Sequence, residues 1–322
     1  MKIGNVKIPG KLALAPMAGV ADVAFRETCE YFGASYFTSE LISVKGLIYD
    51  SEKTKELLTR GNIKKPFAVQ LFGNNPEDFA KAAVILKPFN FDIVDVNMGC
   101  PAPKVVKEKS GSYLLKTPAL CGEIVQALKE NAKKPITIKI RSGWDKNSIT
   151  AIETAKECEK RGASAITIHG RTKTQMYCGE VDLGIIKDLK ENVSIPIIGN
   201  GNITSGKSAE KMLEYTGCDM LAIGRAAYGK PWIFKEVEGF LKGEIFKISE
   251  KEKIEAIKKH TQKILKYKGE ERGCKEARKH IAWYLKGTKN AAKMREKVFS
   301  VSTKKEIEEL LFLWQSILGL EI

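Results

Sequence analysis

The chain has 322 residues, of which 43% are hydrophobic, enough for one large core and a smaller domain. Its 54 Lys and Arg residues outnumber its 39 Asp and Glu residues, which gives a formal net charge of +15 and favours a polyanionic partner. No run approaches the roughly 18 apolar residues that span a bilayer, so the pattern argues against a membrane protein.

The cysteines indicate a reducing environment and no metal centre. Seven cysteines occur at irregular spacing without a CxxC pair, so no zinc or iron–sulfur ligand set is expected. The odd count, and an N-terminus without the apolar segment of a signal peptide, predict reduced thiols and a cytoplasmic protein. The sequence does not indicate an oligomeric state and is compatible with a monomer.

Short apolar runs typical of buried strands recur up to Ile223, and most are followed by a helical pattern. The runs are Leu12–Ala15, Tyr36–Thr38, Phe67–Leu71, Ile93–Val96, Ile136–Ile140, Ala165–Ile168, Ile195–Ile198 and Met220–Ile223. The helical stretches between them include Pro76–Leu86, Pro118–Lys129, Ser148–Lys160, Leu183–Leu189 and Ser205–Tyr215. The runs are apolar on both faces, as in parallel strands covered by helices, and the alternation predicts a TIM (β/α)8 barrel. An open doubly wound sheet is the alternative, but no Gly-x-Gly-x-x-Gly motif opens the first unit.

The pattern changes after Pro231-Trp232, where strand runs end and helical stretches follow, separated by glycines such as Gly273. The stretches are Trp232–Leu241, Glu250–Lys268, Lys275–Lys286, Asn290–Phe299 and Thr303–Leu318. We therefore expect a barrel domain over residues 1–241 and an all-helical domain over residues 242–322. From Lys258 to Lys297 there are 14 Lys and Arg residues against four Asp and Glu residues, a net charge of +10. This density suggests a polyanionic partner, although a solvated helical face would have the same composition.

Two strand ends have the composition of a phosphate site. In TIM barrels the chemistry lies at the carboxyl ends of the strands, and phosphate often binds after strands 7 and 8. Asn200-Gly201-Asn202 ends the seventh predicted strand and precedes a helix whose first amides would point at an anion. Gly224-Arg225 ends the eighth, where glycine admits a close backbone approach and arginine adds charged donors. The alternative is that both glycines serve ordinary turns.

Two further positions carry chemistry. Lys139 lies inside the apolar run Pro135–Ile140, where a charge must be paired or functional because burying an unpaired charge is costly. The alternative is a lysine that reaches solvent along its stem.

Asn97-Met98-Gly99-Cys100-Pro101 follows the run Phe91–Val96, and Gly111-Ser112 comes ten residues after Pro101. This composition is typical of an active-site loop, whereas an isolated cysteine is more often a small buried hydrophobe.

These motifs resemble those of the tRNA-dihydrouridine synthases over essentially the full chain, and their spacing is most similar to the bacterial B-type subfamily. The matching segments are Ala15-Pro16-Met17-Ala18-Gly19-Val20, Gln70, Asn97, Cys100, Lys139, His169-Gly170-Arg171, Asn200-Gly201-Asn202, Gly224-Arg225 and Ala277–Tyr284.

The resemblance implies an enzyme in which NADPH or NADH reduces FMN, hydride passes from flavin N5 to C6 of a uracil in tRNA, and Cys100 protonates C5. It implies FMN contacts from Pro16, Met17, Ala18, Gln70, Lys139, His169, Asn200, Gly201, Asn202, Gly224 and Arg225. Substrate contacts are expected from Asn97, Arg141 and Arg171 and, in the helical domain, from Arg278, Lys279 and Lys286, with the D-loop region of tRNA as partner. His260 and His280 are expected at the surface or facing RNA, and Tyr177 and Cys178 are candidates for the pocket lining.

Two other interpretations stay open at this point. A small-molecule flavin oxidoreductase of the dihydroorotate dehydrogenase type would share the barrel, FMN and Lys139, but it would not need a basic helical domain. An RNA-binding protein whose barrel has lost catalysis would not need an intact Cys100 and Lys139.

Overall fold

The computed structural model describes residues 1–288 and 291–320. Its strands are β1 (Lys2–Ile3), β2 (Val6–Lys7), β3 (Leu12–Leu14), β4 (Tyr36–Ser43), β5 (Phe67–Phe72), β6 (Ile93–Met98), β7 (Ile136–Arg141), β8 (Ala163–His169), β9 (Ile197–Asn200) and β10 (Met220–Ile223). Strands β3 to β10 pair in parallel and close into an eight-stranded barrel in the order β10-β3-β4-β5-β6-β7-β8-β9. The predicted TIM barrel is therefore confirmed, and each of its strands overlaps one of the apolar runs.

The helices are α1 (Val23–Tyr31), α2 (Val44–Ile48), α3 (Glu52–Glu56), α4 (Pro76–Ile85), α5 (Pro103–Lys107), α6 (Pro118–Ala132), α7 (Ala151–Lys160), α8 (Leu183–Asn192), α9 (Gly206–Thr216), α10 (Ile233–Leu241), α11 (Glu250–Lys268), α12 (Glu270–Tyr284), α13 (Ala291–Ser300) and α14 (Lys304–Ile317). Short 3-10 turns cover Gly111–Lys116 and Arg225–Ala227. Several helices start where side chains cap them: Asn75 accepts from the amide of Glu77 ahead of Pro76, and Ser205 accepts from Ser208.

One end of the barrel is closed by the N-terminal hairpin of β1 and β2, which the sequence did not reveal. Ile3 and Ile8 are buried against residues near the amino ends of the barrel strands, including Ala13, Tyr36 and Ile93. This end is filled with apolar side chains, whereas the polar residues of the strands lie towards the carboxyl ends, where TIM barrels bind their ligands.

The strand register brings polar residues together in layers. Asp95 of β6 pairs with Gln70 of β5 and Thr137 of β7, and two residues further along β6, Asn97 pairs with Lys139. Side chains two residues apart on a strand lie on the same face of the sheet. Asp95 and Asn97 therefore lie on one face of β6, next to the residues with which they pair on the neighbouring strands. A further layer joins Arg141, His169, Asn200 and Ala222 of the strands β7 to β10.

Helices α11 to α14 form a separate apolar cluster that includes Ile257, Ile281 and Trp314, together with Ala24 and Trp232 from the barrel side. The expected domain boundary at residues 241 and 242 falls between α10 and α11. Within the described ranges, no helix has the length and apolar character needed to cross a membrane.

Two expectations for this helical part are wrong. Gly273 does not separate helices: α12 begins at Glu270 rather than Lys275, and an added Cβ at Gly273 would lie 3.0 Å from Cδ2 of Leu265. The glycine instead permits a close approach between α11 and α12. His260 and His280 are not exposed but are 1% and 2% accessible, because each lies on the apolar face of its helix. The expected helix start at Asn290 lies outside the described residues.

Candidate active site

A cavity of about 710 Å³ opens at the carboxyl ends of the barrel strands. Most of the residues singled out from the sequence line it: Pro16, Met17, Ala18, Gln70, Asn97, Cys100, Lys139, Arg141, His169, Asn200, Gly201, Asn202, Gly224 and Arg225. Four do not, namely Arg171, Arg278, Lys279 and Lys286. The cavity therefore combines one thiol, one lysine and the glycine-rich ends of β9 and β10.

The Cys100 loop is fixed by hydrogen bonds to its own backbone. The side-chain oxygen of Asn97 accepts from the amides of Gly99 (3.2 Å) and Cys100 (2.8 Å). The amide and hydroxyl of Ser112 both donate to the carbonyl oxygen of Cys100, at 3.1 and 3.0 Å. Gly111 has φ of +62°, and a Cβ there would lie 2.8 Å from the same carbonyl, so glycine is needed for this closure. The loop presents a half-buried Cys100 to the cavity in one backbone conformation.

Below this loop lies a buried polar chain whose central member, Asp95, was missed from the sequence. Asp95 accepts from Gln70 Nε2 and from Thr137 Oγ1, both at 2.6 Å, and Gln70 Oε1 accepts from Asn97 Nδ2 at 2.9 Å. Burial raises the pKa of Asp95 to about 6, against the two hydrogen bonds that lower it. A carboxylate inside the apolar run Ile93–Val96 was the available signal, by the same reasoning that identified Lys139. The chain fixes the amides of Gln70 and Asn97, leaving each with one N–H for a ligand.

Lys139 and Asn200 form a pair across β7 and β9. Lys139 Nζ donates to Asn200 Oδ1 at 3.3 Å, and Asn200 Nδ2 donates to the carbonyl of Ala222 at 2.7 Å. Burial, and then the nearby Arg141, lower the pKa of Lys139 to about 8, so the ammonium form still predominates at neutral pH. This lysine is oriented into the cavity with ammonium N–H groups to spare.

His169 is a neutral side chain among positively charged ones. Burial, with smaller contributions from the charges of Lys139, Arg141 and other cations, lowers its pKa to about 2. Its Nδ1 is buried and has no partner among the described residues. An unpartnered buried ring nitrogen is costly, whereas Nε2 is the ring nitrogen that lies towards Gly201.

At the start of α9, where an anion site is expected, some of the backbone amides are bonded within the protein. The amides of Thr204 and Ser205 donate to Ser208 Oγ, and the amide of Ser208 donates to Ser205 Oγ, so three amides at this helix start are already occupied. The amides of Gly206 and Lys207, the first two residues of α9, form no hydrogen bond to another described residue. The backbone N–H groups of Asn202, Ile203, Arg225 and Ala226 likewise form no hydrogen bond to another described residue. All four residues line the cavity, so these N–H groups and the exposed Arg225 guanidinium offer the donor chemistry of a phosphate site, and we call this set the phosphate cradle.

Two buried arginines, Arg141 and Arg171, donate hydrogen bonds to the loop after β8. Arg141 donates to the carbonyls of Gly99, Thr172 and Met176, at 2.9, 2.8 and 2.7 Å. Arg171 donates to the carbonyl of Gly179 at 2.6 Å and to Asn202 Oδ1 at 2.9 Å, and it lies outside the cavity.

These bonds hold the loop over the cavity mouth. Tyr177 belongs to this loop and lines the cavity. The centre of its ring lies 4.5 Å from the guanidinium carbon of Arg225. Cys178 is exposed and does not line it.

The helical residues expected to bind substrate have mixed roles. Arg278 Nε donates to the carbonyl of Val301 at 2.8 Å, and Lys279 Nζ donates to the carbonyl of Gly19 at 2.5 Å. Lys286 is exposed. The first two side chains therefore hold parts of the protein together, whatever else they contact. Across the part of the chain that the structure describes, no group of three or more His, Cys, Asp or Glu side chains is arranged to hold a metal ion.

Comparison with known proteins gives a consistent result. The family model described as Dihydrouridine synthase (Dus) matches residues 13–317. Three proteins named tRNA-dihydrouridine synthase B are similar over most of their length. The protein of Pasteurella multocida is 40% identical (95% of this chain, 93% of the relative), that of Vibrio vulnificus 41% (92% of each) and that of Pseudomonas aeruginosa 39% (92% and 90%).

A solved structure shares the fold alone. A complex of 2-naphthoyl-CoA reductase superposes with a TM-score of 0.60 at 14% identity, over 76% of this chain and 52% of that one.

Proposed function

The chain belongs to the dihydrouridine synthase family, and from this premise we propose that it reduces the 5,6 double bond of specific uridines in tRNA to dihydrouridine, using FMN and NADPH or NADH. The observation that carries the proposal is the position of Cys100, fixed by Asn97 and Ser112 at the mouth of a cavity that also holds Lys139 and a phosphate cradle. A cytoplasmic enzyme is the corollary, because that is where its RNA substrate would be found.

The residues present fit FMN. Its phosphate would be bound by the Arg225 guanidinium and by the unpaired amides of Asn202, Ile203, Arg225 and Ala226. Lys139 and Gln70 would face the polar edge of the ring with N–H donors, and His169 lines the same cavity. Pro16, Met17 and Ala18 supply the apolar part of the cavity wall. Bound FMN would supply the hydride that adds to C6 of the uracil.

The protein's own chemical contribution is the proton. A cysteine thiol in water is mostly protonated at neutral pH and can act as a general acid, so Cys100 Sγ would donate its proton to C5 of the ring. The loop hydrogen bonds hold the Cys100 backbone in place, which limits motion of the acid away from its acceptor. The remaining N–H of Asn97 would hold the uracil edge.

The substrate must present an unstacked base. A uracil paired or stacked inside an RNA helix cannot reach a barrel mouth, so it must flip out of the stack. Phosphate and shape contacts from the basic surface would hold the rest of the tRNA, and the D-loop region is the part that we propose is bound.

The test measures product and cofactor separately. Purified protein is denatured, and the released flavin is separated by HPLC; FMN is expected, and recovery of FAD, or of no flavin after reconstitution with FMN, would contradict the cofactor. FMN-loaded protein is then incubated with NADPH and an unmodified tRNA transcript. Mass spectrometry of the digested RNA should show selected uridines heavier by two hydrogen atoms.

Two negative results have distinct meanings. NADPH oxidation without change in any uridine would favour a small-molecule oxidoreductase of the dihydroorotate dehydrogenase type. Binding of tRNA without flavin or NADPH oxidation would favour a non-catalytic RNA-binding barrel. In a deletion strain, loss of dihydrouridine at defined tRNA positions identifies the uridines.

A further inference from the structure

A cluster of two lysines and two aromatic rings lies on the barrel rim, outside the cavity; it consists of Tyr113, Lys116, Trp144 and Lys173, and we call it the rim cluster. The Nζ atoms of Lys116 and Lys173 lie 3.9 and 4.5 Å from the centre of the Trp144 ring system. Tyr113 meets Trp144 edge-on with ring centres 5.9 Å apart, and Lys116 Nζ lies 5.2 Å from the Tyr113 ring. Both ammonium groups are thus held by cation–π contacts to one indole.

The rim cluster is tied to the Cys100 loop by short covalent and hydrogen-bonded paths. Tyr113 directly follows Ser112, whose hydroxyl donates to the Cys100 carbonyl. Trp144 lies three residues after Arg141, which donates to the Gly99 carbonyl. The amide of Thr174 donates to the Trp144 carbonyl at 3.0 Å, which ties in the segment that carries Lys173. A ligand on the rim cluster would therefore bind close to whatever enters the cavity at Cys100.

The lysines of this rim are not neutralised by carboxylates. Of the residues that the structure describes, none places a carboxylate oxygen within 4 Å of Nζ of Lys116 or Lys173. The same holds for exposed lysines on α5 and the adjoining loops, namely Lys104, Lys107, Lys109 and Lys146. The basic helical segment differs, because salt bridges engage Lys259, Lys263, Lys268, Arg272 and Lys275. The barrel rim therefore carries unbridged positive charge of its own, in addition to that of the helical segment.

We propose that the rim cluster binds phosphate groups of the RNA strand flanking the target uridine, so that the barrel itself grips the tRNA next to the reactive base. This inference rests on the proposed function. Trp144 holds the stems of Lys116 and Lys173 in place, which lowers the entropy cost of bringing both ammonium groups to phosphates. Unpaired lysines spread over three neighbouring loops suit an extended polyanion better than the few phosphates of a nicotinamide dinucleotide.

The test compares three charge variants of the FMN-loaded full chain. Lys116→Gln/Lys173→Gln removes two charges from the rim cluster, and Lys116→Arg/Lys173→Arg keeps them. The matched control Lys81→Gln/Lys211→Gln removes two charges from exposed, unbridged lysines on the outer helices α4 and α9. The dissociation constant of an unmodified tRNA transcript is measured by filter binding at several salt concentrations, and the KM for NADPH is measured in parallel.

The expected result is a smaller salt dependence in the rim glutamine variant alone. The slope of log K against log salt should fall by about two, because each of the two lysines would no longer neutralise a phosphate. The arginine variant and the outer-helix control should keep the wild-type slope, and the KM for NADPH should not change. An equal fall in the outer-helix control would mean a general charge effect and would overturn the inference.

The remaining outcomes are equally distinct. If the rim glutamine variant keeps the wild-type slope for tRNA but has a raised KM for NADPH, the rim cluster binds the dinucleotide, and the proposal that it binds RNA is rejected. Failure of the wild-type protein to bind tRNA at all would reject the proposed function together with this inference. Binding by the wild type with an unchanged slope in the rim glutamine variant would reject this inference alone. Thermal unfolding of each variant checks that it is folded; if the double glutamine variant is not, the single variants Lys116→Gln and Lys173→Gln replace it, each with an expected fall in slope of about one.

Discussion

The indole ring of Trp283 in α12 stacks on the phenol ring of Tyr228, with ring centres 4.4 Å apart and ring planes 14° apart. Tyr228 lines the cavity and directly follows the turn Arg225–Ala227. A side chain at Gly229 would overlap the backbone of Trp283, so the chain after β10 packs directly on α12. The helical part of the protein thus supports the segment that we propose binds the FMN phosphate.

Replacing Trp283 should therefore weaken FMN binding from a distance. An aromatic stack contributes about 1 kcal/mol beyond the area that it buries, so Trp283→Ala should raise the Kd for FMN about fivefold or more. Trp283→Phe keeps a stacking ring and should restore most of the affinity. Flavin fluorescence titration of the apoprotein measures both. Equal Kd values for the alanine variant and the wild type would mean that the stack does not position the cradle.

Cys100→Ala should separate the two halves of the proposed reaction. If the thiol only supplies the proton for C5, flavin reduction by NADPH should continue at a near-normal rate. Dihydrouridine formation should fall by about 100-fold or more, the usual contribution of a general acid. Cys178→Ala is the matched control, because Cys178 is exposed and lies outside the cavity. Loss of flavin reduction as well would assign Cys100 a structural role.

The strands and many site positions were predictable because each depends on local chemistry. Apolar runs without alternation mark strands buried on both faces, and a lysine within such a run is anomalous wherever the chain folds. Lys139 and Cys100 therefore lie in the cavity as expected.

Hydrogen-bond partners were not predictable, because they depend on which loops meet. Ser208 occupies the amides of Thr204 and Ser205 just before α9, and the Arg278 side chain contacts a carbonyl 23 residues away in the chain. The buried histidines had a usable signal. His260 follows Ile257 by three residues and precedes Ile264 by four, a helical spacing that predicts the buried face.

The His260 and His280 pair should make stability depend on pH. Their rings lie 4.7 Å apart, and His260 Nδ1 lies 3.2 Å from the Tyr284 hydroxyl. Burial, then nearby positive charges, lower the pKa of His260 to about 3 and that of His280 well below its usual value. Because the folded pKa lies below the unfolded value of about 6.5, the unfolded state binds more protons as the pH falls. Stability should be fully present above pH 7 and decline as the pH falls below about 6.5, by about 2 kcal/mol at pH 5 for His260, with His280 acting in the same direction.

Chemical denaturation at pH 7 and pH 5 measures this effect. The variant His260→Gln/His280→Gln cannot titrate there, so its free energy of unfolding should change much less between the two pH values, even if it is lower at both. The raised pKa of Asp95 acts in the opposite direction in both proteins and cancels in the comparison. Equal pH dependence in wild type and variant would show that these histidines do not control acid stability.

Arg278 and Lys286 should separate structural from RNA-binding roles in the basic helices. Arg278 Nε donates to the Val301 carbonyl at 2.8 Å, so Arg278→Ala should lower the free energy of unfolding by about 1 to 2 kcal/mol. Lys286 is exposed, so Lys286→Ala should leave stability unchanged. If Lys286 meets a tRNA phosphate, its removal should reduce the slope of log K against log salt by about one.

Urea unfolding and filter binding of both variants decide the assignment. A reduced slope for Arg278→Ala with unchanged stability would transfer the phosphate contact to Arg278, and an unchanged slope for Lys286→Ala would remove Lys286 from the RNA-binding surface.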